Sequence, residues 1–182
     1  MSLIRKSMTE LNRPNLEGSK LNAKLPLVVI LEDIRSGLNI GSVFRTADGM
    51  NIEKIILTGI SVIPPHREIL KTALDSTLSV HWEYHSSTTD VILALKNKGY
   101  KIAAVEQVHH SKSLETLNVK DSLPLALIFG NEVRGVSDKT LEMSDFGIEI
   151  PQHGIKHSLN ISVCAGIVLW HCYSQLLKSK IH

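Results

Sequence analysis

Three short segments hold the residues whose types and spacing could do chemistry. The first, residues 36–49 (SGLNIGSVFRTADG), leads glycines and an asparagine into a helix as a nucleotide-binding loop does. It lacks the lysine of a phosphate-binding loop and carries Arg45 instead. Asn39 is suited to capping the helix, and Gly41 permits close approach of another backbone. Taken singly, Asn39 favours a cap over a catalytic group, and Arg45 favours a surface ion pair.

The second segment, residues 125–137 (LALIFGNEVRGVS), runs from an apolar strand directly into Gly130. Glycine there lets a ligand lie against the main chain, whose amides and carbonyls can recognise an adenine or a sulfonium-bearing amino acid. Glu132 could orient a substrate or hold an arginine. A tight turn with an exposed glutamate is the alternative, and this segment alone leaves both open.

The third segment, residues 148–170, begins with a strand that Pro151 ends, and Gly154 permits a turn after it. Ser158 and Asn160 then open a helix, whose first turn presents free backbone donors to an anionic group. Ordinary capping explains Ser158 but gives Asn160 no role.

The elements that must position these segments alternate between apolar strands and amphipathic helices. Strands are predicted at residues 27–31, 54–57, 79–84, 102–105, 125–129 and 148–150. Helices are predicted at residues 39–50, 66–74 and 158–177, with another capped by Thr88 or Thr89 and ended by Gly99. The last helix places Ile161, Ala165, Val168, Cys172 and Leu176 on one side. The alternation predicts an α/β sheet with helices on both faces, whose ligand sites lie at the carboxyl ends of its strands.

Length and composition bound the class of protein. The 182 residues, 43% hydrophobic and 21% charged, suit one well-buried domain, which we assign to residues 25–182. The net charge of +2 does not by itself indicate a nucleic-acid binder. Residues 1–24, with five basic and two acidic side chains, predict a partly ordered basic arm that could touch phosphates, although charge alone favours a solvated tail. With no apolar run of ~20 residues and no signal core, we expect a cytoplasmic protein.

Cysteine and histidine usage indicates neither a disulfide nor a metal site. Cys164 and Cys172 lie eight residues apart on one predicted helix, too far to pair, and are expected to be buried reduced thiols. The histidine pairs at residues 109–110 and at positions 153 and 157 have no Cys, Asp or Glu set around them at ligand spacing.

Together the three segments closely resemble the SpoU/TrmH class of the SPOUT superfamily, RNA ribose 2′-O-methyltransferases that use S-adenosylmethionine. The first family motif, an Asn, a Gly two residues on and then Arg-Thr-Ala, is matched by residues 39–47. The second, Gly-x-Glu-x-x-Gly, is matched by residues 130–135. The third, Ile-Pro-x-x-Gly followed by Ser-Leu-Asn-x-Ser, is matched by residues 150–162. The match runs in order, with family-like spacing, over about residues 27–177.

The resemblance implies a mostly parallel α/β sheet whose C-terminal segment threads a trefoil knot. It also implies a homodimer in which the last helix packs against its partner, and S-adenosylmethionine bound by the knot loops largely through main chain. For the cofactor it implies Val105, Gly130, Ile150, Pro151 and Leu159. For catalysis it implies Arg45, Asn39, Glu132, Ser158 and Asn160. No metal is implied, and the partner is RNA, with tRNA favoured over rRNA.

Arg45 is the central catalytic residue in this interpretation. In the family the equivalent arginine is proposed as a general base aided by an RNA phosphate, but arginine stays protonated in nearly all proteins. A guanidinium that clamps the phosphate and stabilises the developing alkoxide is the other role left open. Asn39 would orient Arg45 or the ribose. Glu132, Ser158 and Asn160 would hold the loops, the cofactor's amino-acid end and the arginine in register.

The sequence departs from the family pattern at loop positions only. Ser36-Gly37 stands where many relatives have Asp-Pro, Met50-Asn51 where many have Phe-Gly, and Gln152 where Met is frequent. Asn tolerates the left-handed conformation that Gly would supply at position 51. His153 and His157 flank the predicted site and could contact RNA.

Two other functions compete with a methyltransferase. A nucleotide-dependent oxidoreductase would need Gly-x-Gly-x-x-Gly after the first strand, and that spacing is absent. A catalytically inert RNA-binding dimer of the same fold would show damage at the polar motif residues, which are all present.

Overall fold

The computed structural model describes residues 3–7, 9–11, 18, 23–155 and 158–178. Most of the predicted basic arm, together with His157, therefore lies outside the described residues. The strands are β1 (Leu25–Glu32), β2 (Ile52–Thr58), β3 (His81–His85), β4 (Lys101–Val105), β5 (Lys112–Ser113), β6 (Leu125–Phe129) and β7 (Phe146–Glu149). The helices are α1 (Gly37–Gly49), α2 (Arg67–Ala73), α3 (Ser76–Ser79), α4 (Thr88–Asn97), α5 (Asp138–Met143) and α6 (Ile161–Lys178). Two 3₁₀ turns, Leu114–Thr116 and Val119–Ser122, precede β6.

The strands form one sheet in the order β3-β2-β1-β6-β4-β7-β5, and every pairing between neighbours is parallel. This confirms the predicted α/β class. Because parallel strands share one direction, the carboxyl ends of the four neighbours β1, β6, β4 and β7 meet at the same edge of the sheet.

The central strands are apolar on both faces because helices cover both. In β1, Val29 and Leu31 belong to one core cluster and Val28 and Ile30 to the other. The first cluster is closed by α1, α2 and α6, and the second by α4 and α5. Continuous burial of this kind is what a five-residue apolar run predicts in a parallel sheet.

Most predicted elements are confirmed, but several predicted helix starts are wrong. Ser36 caps α1, with its Oγ accepting from the Asn39 N–H at 3.3 Å, so Asn39 lies in the first turn. Ser87, not Thr88 or Thr89, caps α4. In each case a serine just upstream offers an equivalent side-chain oxygen acceptor, and the sequence pattern does not separate such neighbours. Helix α6 begins at Ile161, three residues after the predicted start.

The segment around Ser79 also differs from its prediction. Residues Ser76–Ser79 form the short helix α3, so the predicted strand at 79–84 is confirmed only from His81 onward. The chain enters α3 through Leu74 and Asp75, both with positive φ (47° and 66°). Asn51 has φ 53°, the left-handed conformation that Asn tolerates and that Gly would supply there.

Helix α6 buries the predicted side against its own chain. Ile161, Ala165, Val168, Cys172 and Leu176 are all buried in the first core cluster. The partner contact that the resemblance implies for this helix stays a prediction, and it cannot use this side, because the sheet and α1 already cover it. A different stripe of α6, made of Val163, Ile167 and Trp170, is exposed.

Neither cysteine forms a disulfide: Cys172 is buried and Cys164 half-buried, close to the expectation. None of the helices in the described ranges is both long and apolar enough to span a bilayer. The trefoil knot stays a prediction of the resemblance.

Candidate active site

A pocket of about 650 Å³ opens at the carboxyl edge of the sheet. Its walls include residues 105–108 at and after the end of β4, 129–136 at and after the end of β6, 148–150 at and after the end of β7, and 158–161 before and at the start of α6. The volume lies within the roughly 300–1,000 Å³ typical of small-molecule sites. The pocket is thus where the strand directions predict a ligand site.

The loop after β6, residues 130–136, forms one wall and is closed on itself. The N–H of Asn131 donates to the carbonyl of Gly135 at 2.9 Å, and the N–H of Gly135 donates back at 2.8 Å. The Asn131 side chain accepts from the N–H groups of Val133 and Arg134 and donates to the Asp33 carbonyl at 2.8 Å. These bonds fix the loop to the end of β1.

Gly130 is required by the closeness of this loop. A Cβ on Gly130 would lie 2.1 Å from the Val136 nitrogen and 2.2 Å from the Gly135 carbonyl carbon. The sequence predicts a glycine here because it lets a ligand reach the main chain. The structure adds that the loop's own backbone fills the space a side chain would need.

Glu132 joins the first two motifs. Its carboxylate accepts from the N–H groups of Ser36 (3.2 Å) and Arg35 (3.4 Å) and from the Asn39 amide (3.3 Å). Burial raises the pKa of Glu132, but main-chain N–H donors and the Asn39 amide outweigh it and hold the pKa below its ordinary value. The carboxylate is thus an ionised acceptor that ties residues 35–39 to the β6 loop. Among the described residues, the arginine that Glu132 contacts is Arg35, and the contact is with its main-chain N–H group.

Asn160 brings the third motif into the same cluster. Its Nδ2 donates to the Asn39 Oδ1 at 3.2 Å, while its own Oδ1 accepts from the Ser162 N–H at 2.9 Å and hydroxyl at 2.7 Å. Asn160 therefore caps α6 and contacts α1 at once, which supplies the role that capping by Ser158 left open. The three motifs meet as the chain Glu132–Asn39–Asn160, called the amide bridge below.

A buried carboxylate, that of Glu32, supports the β6 loop, which carries Glu132 of the amide bridge. Glu32, at the end of β1, is 4% exposed and accepts from the Ser137 N–H at 2.9 Å, from the Ser137 hydroxyl at 3.0 Å and from Thr140. Since Ser137 caps α5 directly after the β6 loop, Glu32 fixes the far end of that loop. The sequence-based prediction missed Glu32, because a single acid inside an apolar strand gives no motif.

Four of the five residues predicted to bind the cofactor line the pocket: Val105, Gly130, Ile150 and Leu159. Pro151 is exposed and is not among the lining residues, so only its neighbours face the cavity. Among the predicted catalytic residues, Glu132, Ser158 and Asn160 line the pocket and Asn39 is bonded to two of them.

Arg45 is not brought into this cluster. It is exposed, and it is absent from the pocket walls. At about 100° per residue, six residues of helix rotate Arg45 by roughly 120° around α1 from Asn39. The catalytic role of Arg45 therefore stays a prediction, and the chain in isolation does not supply the geometry for it.

The main-chain groups, apolar side chains and charges that line the pocket suit S-adenosylmethionine. Glycine-rich main chain at residues 130–135 and apolar side chains such as Ile150 and Leu159 can enclose an adenosyl group. Among the wall residues that the structure describes, acidic side chains outnumber basic ones, with Glu106, Glu132, Asp138 and Glu149 against Arg134. That balance favours a ligand that carries sulfonium and ammonium charges. Within the described ranges, no three His, Cys, Asp or Glu side chains are grouped as metal ligands.

Comparison with known proteins agrees with this architecture. The sequence profile of the SpoU rRNA Methylase family matches residues 26–170. A tRNA (guanosine(18)-2′-O)-methyltransferase of Thermus thermophilus is 27% identical over 175 residues, covering 96% of this chain and 88% of that protein.

Two crystal structures extend the comparison. That of the Aquifex aeolicus TrmH/SpoU tRNA modifying enzyme superposes with a TM-score of 0.81 at 24% identity, covering 91% of this chain and 82% of that one. That of an AdoMet-bound rRNA methyltransferase from Sinorhizobium meliloti superposes with a TM-score of 0.77 at 26% identity, covering 85% and 61%. The profile match spans most of the chain and contains the whole amide bridge, so the protein belongs to the SpoU rRNA methylase family.

Proposed function

We propose that this protein transfers a methyl group from S-adenosylmethionine to the 2′-hydroxyl of a ribose in tRNA. The observation that carries the proposal is the amide bridge, which joins all three motifs at the mouth of a pocket lined by main chain. When bound, the cofactor supplies an electrophilic methyl group. The tasks left to the protein are to hold the donor and the ribose in line, to assist removal of the 2′-hydroxyl proton as the methyl group passes from sulfur to oxygen, and to stabilise the alkoxide character of that oxygen.

In this proposal the amide bridge is a positioning device. Glu132 accepts three N–H donors from residues 35–39, so it keeps the start of α1 against the β6 loop. Asn160 keeps the start of α6 against α1. Shifting either contact would move the pocket walls relative to the first turn of α1, where the RNA ribose is expected to enter.

We further propose a homodimer that completes the site. On α6, Val163, Ile167 and Trp170 follow one another at steps of four and three and are 51%, 40% and 57% exposed. Gly166 lies on the same stripe, and beyond its own helix backbone no described residue stands within 4 Å of the position of its missing Cβ. A stripe of this kind, with room for close approach, suits a second copy of the helix. Since α1 packs beside α6, such a dimer would also cover part of α1 and could carry Arg45 to the partner's pocket.

Mixed dimers test the arrangement of Arg45. Subunits carrying Arg45→Ala are unfolded, mixed and refolded with subunits carrying Asn160→Ala, each inactive alone, and methylation of tRNA is measured. If Arg45 acts on the partner's pocket, every mixed dimer has one intact site. Random mixing should then restore about a quarter of the wild-type rate. Differential tagging shows whether mixed dimers have formed. If they have formed and methylation is not restored, Arg45 acts on its own chain's pocket or on no pocket.

tRNA is proposed over rRNA because the Thermus thermophilus relative named for tRNA methylation is aligned over 88% of its length, so this chain matches nearly all of it. Residues 1–24 would add a basic contact to the RNA, and a cytoplasmic location fits two free thiols. The test is nucleoside mass spectrometry of tRNA and rRNA from cells that lack the protein. Loss of one 2′-O-methylated nucleoside from tRNA is expected, and loss from rRNA alone would replace the proposed substrate.

The inert RNA-binding dimer is tested with purified protein. Calorimetry should detect binding of S-adenosylmethionine, and incubation with unmodified tRNA should transfer the methyl group. Binding of cofactor and RNA without any transfer would favour the inert module.

A further inference from the structure

Glu106 is a pocket residue to which neither the motifs nor the amide bridge assigns a role. It follows β4 directly, lines the pocket and is half-buried. Its Oε1 accepts from the Gln107 N–H at 2.9 Å, and its Oε2 accepts from the Val136 N–H at 3.2 Å. Two main-chain donors therefore fix the orientation of this carboxylate before any ligand arrives.

The β6 loop is shaped around the Glu106 carboxylate. Gly135 has φ 70°, and a Cβ there would lie 2.3 Å from the Glu106 Oε2. The carboxylate is thus seated where only a glycine leaves room. Its charge also reaches Cys164 in the first turn of α6, whose pKa burial and Glu106 together raise to about 11. Glu106 accordingly lies between the β6 loop and α6, inside the pocket.

Each Glu106 oxygen keeps a free lone pair after accepting one N–H, because a carboxylate has about four acceptor sites. Two parallel acceptors at fixed orientation match two neighbouring hydroxyl donors. The other acidic wall residues are less suited. Glu132 is already engaged by three donors. No hydrogen bond within the described part of the chain fixes Asp138 or Glu149, which would lose side-chain entropy on binding.

We propose that Glu106 recognises the vicinal 2′- and 3′-hydroxyl groups of the cofactor's own ribose, accepting one hydrogen bond on each carboxylate oxygen. The inference rests on the proposed function, since it takes S-adenosylmethionine as the ligand. It makes Glu106 a residue that selects a ribonucleoside over a deoxyribonucleoside in the cofactor pocket.

The test measures binding by calorimetry and does not depend on turnover. Wild-type protein, Glu106→Gln and the matched control Glu149→Gln are titrated with S-adenosylhomocysteine and with its 2′-deoxy and 3′-deoxy analogues. Hydrogen bonds to a charged acceptor are worth enough that each missing hydroxyl should weaken wild-type binding roughly ten- to hundredfold. Glu149→Gln should discriminate as the wild type does, and Glu106→Gln should bind all three ligands with similar, weakened affinity.

The outcomes separate the inference from the proposed function. A wild-type protein that binds no S-adenosylhomocysteine would refute the proposed cofactor itself. Equal wild-type affinity for all three ligands overturns the role of Glu106, whatever the folding of any variant. If Glu106→Gln weakens all three ligands by one common factor and keeps the discrimination, Glu106 only supports the β6 loop. Loss of discrimination in Glu149→Gln would transfer the role to that residue.

Discussion

Replacing Gly130 with alanine should force the β6 loop open and so reduce both stability and cofactor binding. The new methyl group would lie 2.1 Å from the Val136 nitrogen and 2.2 and 2.3 Å from the Gly135 carbonyl carbon and oxygen. All three are backbone atoms, so no side chain can rotate away to relieve the contact. The loop must move as a unit, and the two hydrogen bonds between Asn131 and Gly135 resist that movement.

The size of the effect follows from these contacts. Overpacking in a well-packed region costs about 1–3 kcal/mol, and each strained or lost hydrogen bond adds about 1 kcal/mol. We expect the free energy of unfolding to fall by about 2–4 kcal/mol. At roughly 2–4 °C per kcal/mol for a chain of this size, the Tm should fall by roughly 4–16 °C.

The measurement is thermal unfolding followed by circular dichroism, with S-adenosylhomocysteine binding measured at a temperature where the variant is folded. Gly49→Ala is the matched control, since beyond the helix's own backbone no atom of the described part of the chain lies within 4 Å of its missing Cβ at the end of α1. The control should keep the wild-type Tm or exceed it slightly. A Gly130→Ala protein with wild-type Tm and wild-type affinity would refute the close packing described for this loop.

Three further predictions concern single side chains. The low pKa of Glu132 means that its stabilising contribution is complete above the unfolded-state pKa and is lost as pH falls through the folded-state value. Between about pH 6 and about pH 3, the free energy of unfolding should therefore fall less in Glu132→Gln than in wild type. Parallel curves of this free energy against pH would contradict the prediction. Leu74→Asn should raise the free energy of unfolding in urea by about 0.5–1 kcal/mol, because Leu74 is exposed with φ 47°, whereas Leu70→Asn on helical α2 should not. Burial raises the pKa of Cys164 to about 11 and of Cys172 to about 12, so both thiols should react with a disulfide reagent at pH 8 far more slowly in folded protein than in urea.

The sheet was predictable where side chains are buried on both faces. β6 was predicted with its observed bounds, and β1 within two residues, because such strands need an unbroken apolar run. The strands at the two edges of the sheet were harder to predict. β3 is exposed along most of its length, so its sequence carries little apolar signal, and α3 displaced its expected start. The two-residue strand β5 has too few residues to show any periodicity.

The site was predictable as a set of residues but not as a set of contacts. Glycine spacing and the Asn, Glu and Ser types identified the three segments, since each requirement is local. The bond between Asn39 and Asn160 joins positions 121 residues apart, and it exists only because β1 and β6 are neighbours in the sheet and α6 returns over their ends. Glu32 and Glu106 accept hydrogen bonds from main-chain N–H groups in and directly after the β6 loop. A main-chain N–H group leaves no signature in the sequence.

Arg45 and the cofactor pocket lie on different surfaces of the chain, so we expect them to serve different parts of the proposed reaction. The amide bridge and the pocket lie at the carboxyl edge of the sheet, whereas Arg45 lies on the solvent side of α1, about a third of a turn from Asn39. Arg45 lines no wall of its own chain's pocket, so its replacement removes none of the cofactor contacts that this chain supplies. Arg45→Ala should therefore leave S-adenosylmethionine affinity nearly unchanged while methylation falls by about two orders of magnitude or more, about 3 kcal/mol of transition-state stabilisation. Gly130→Ala should weaken the cofactor directly. If Arg45→Ala instead weakens the cofactor and spares turnover with saturating cofactor, the arginine belongs to the binding site and this expectation is wrong.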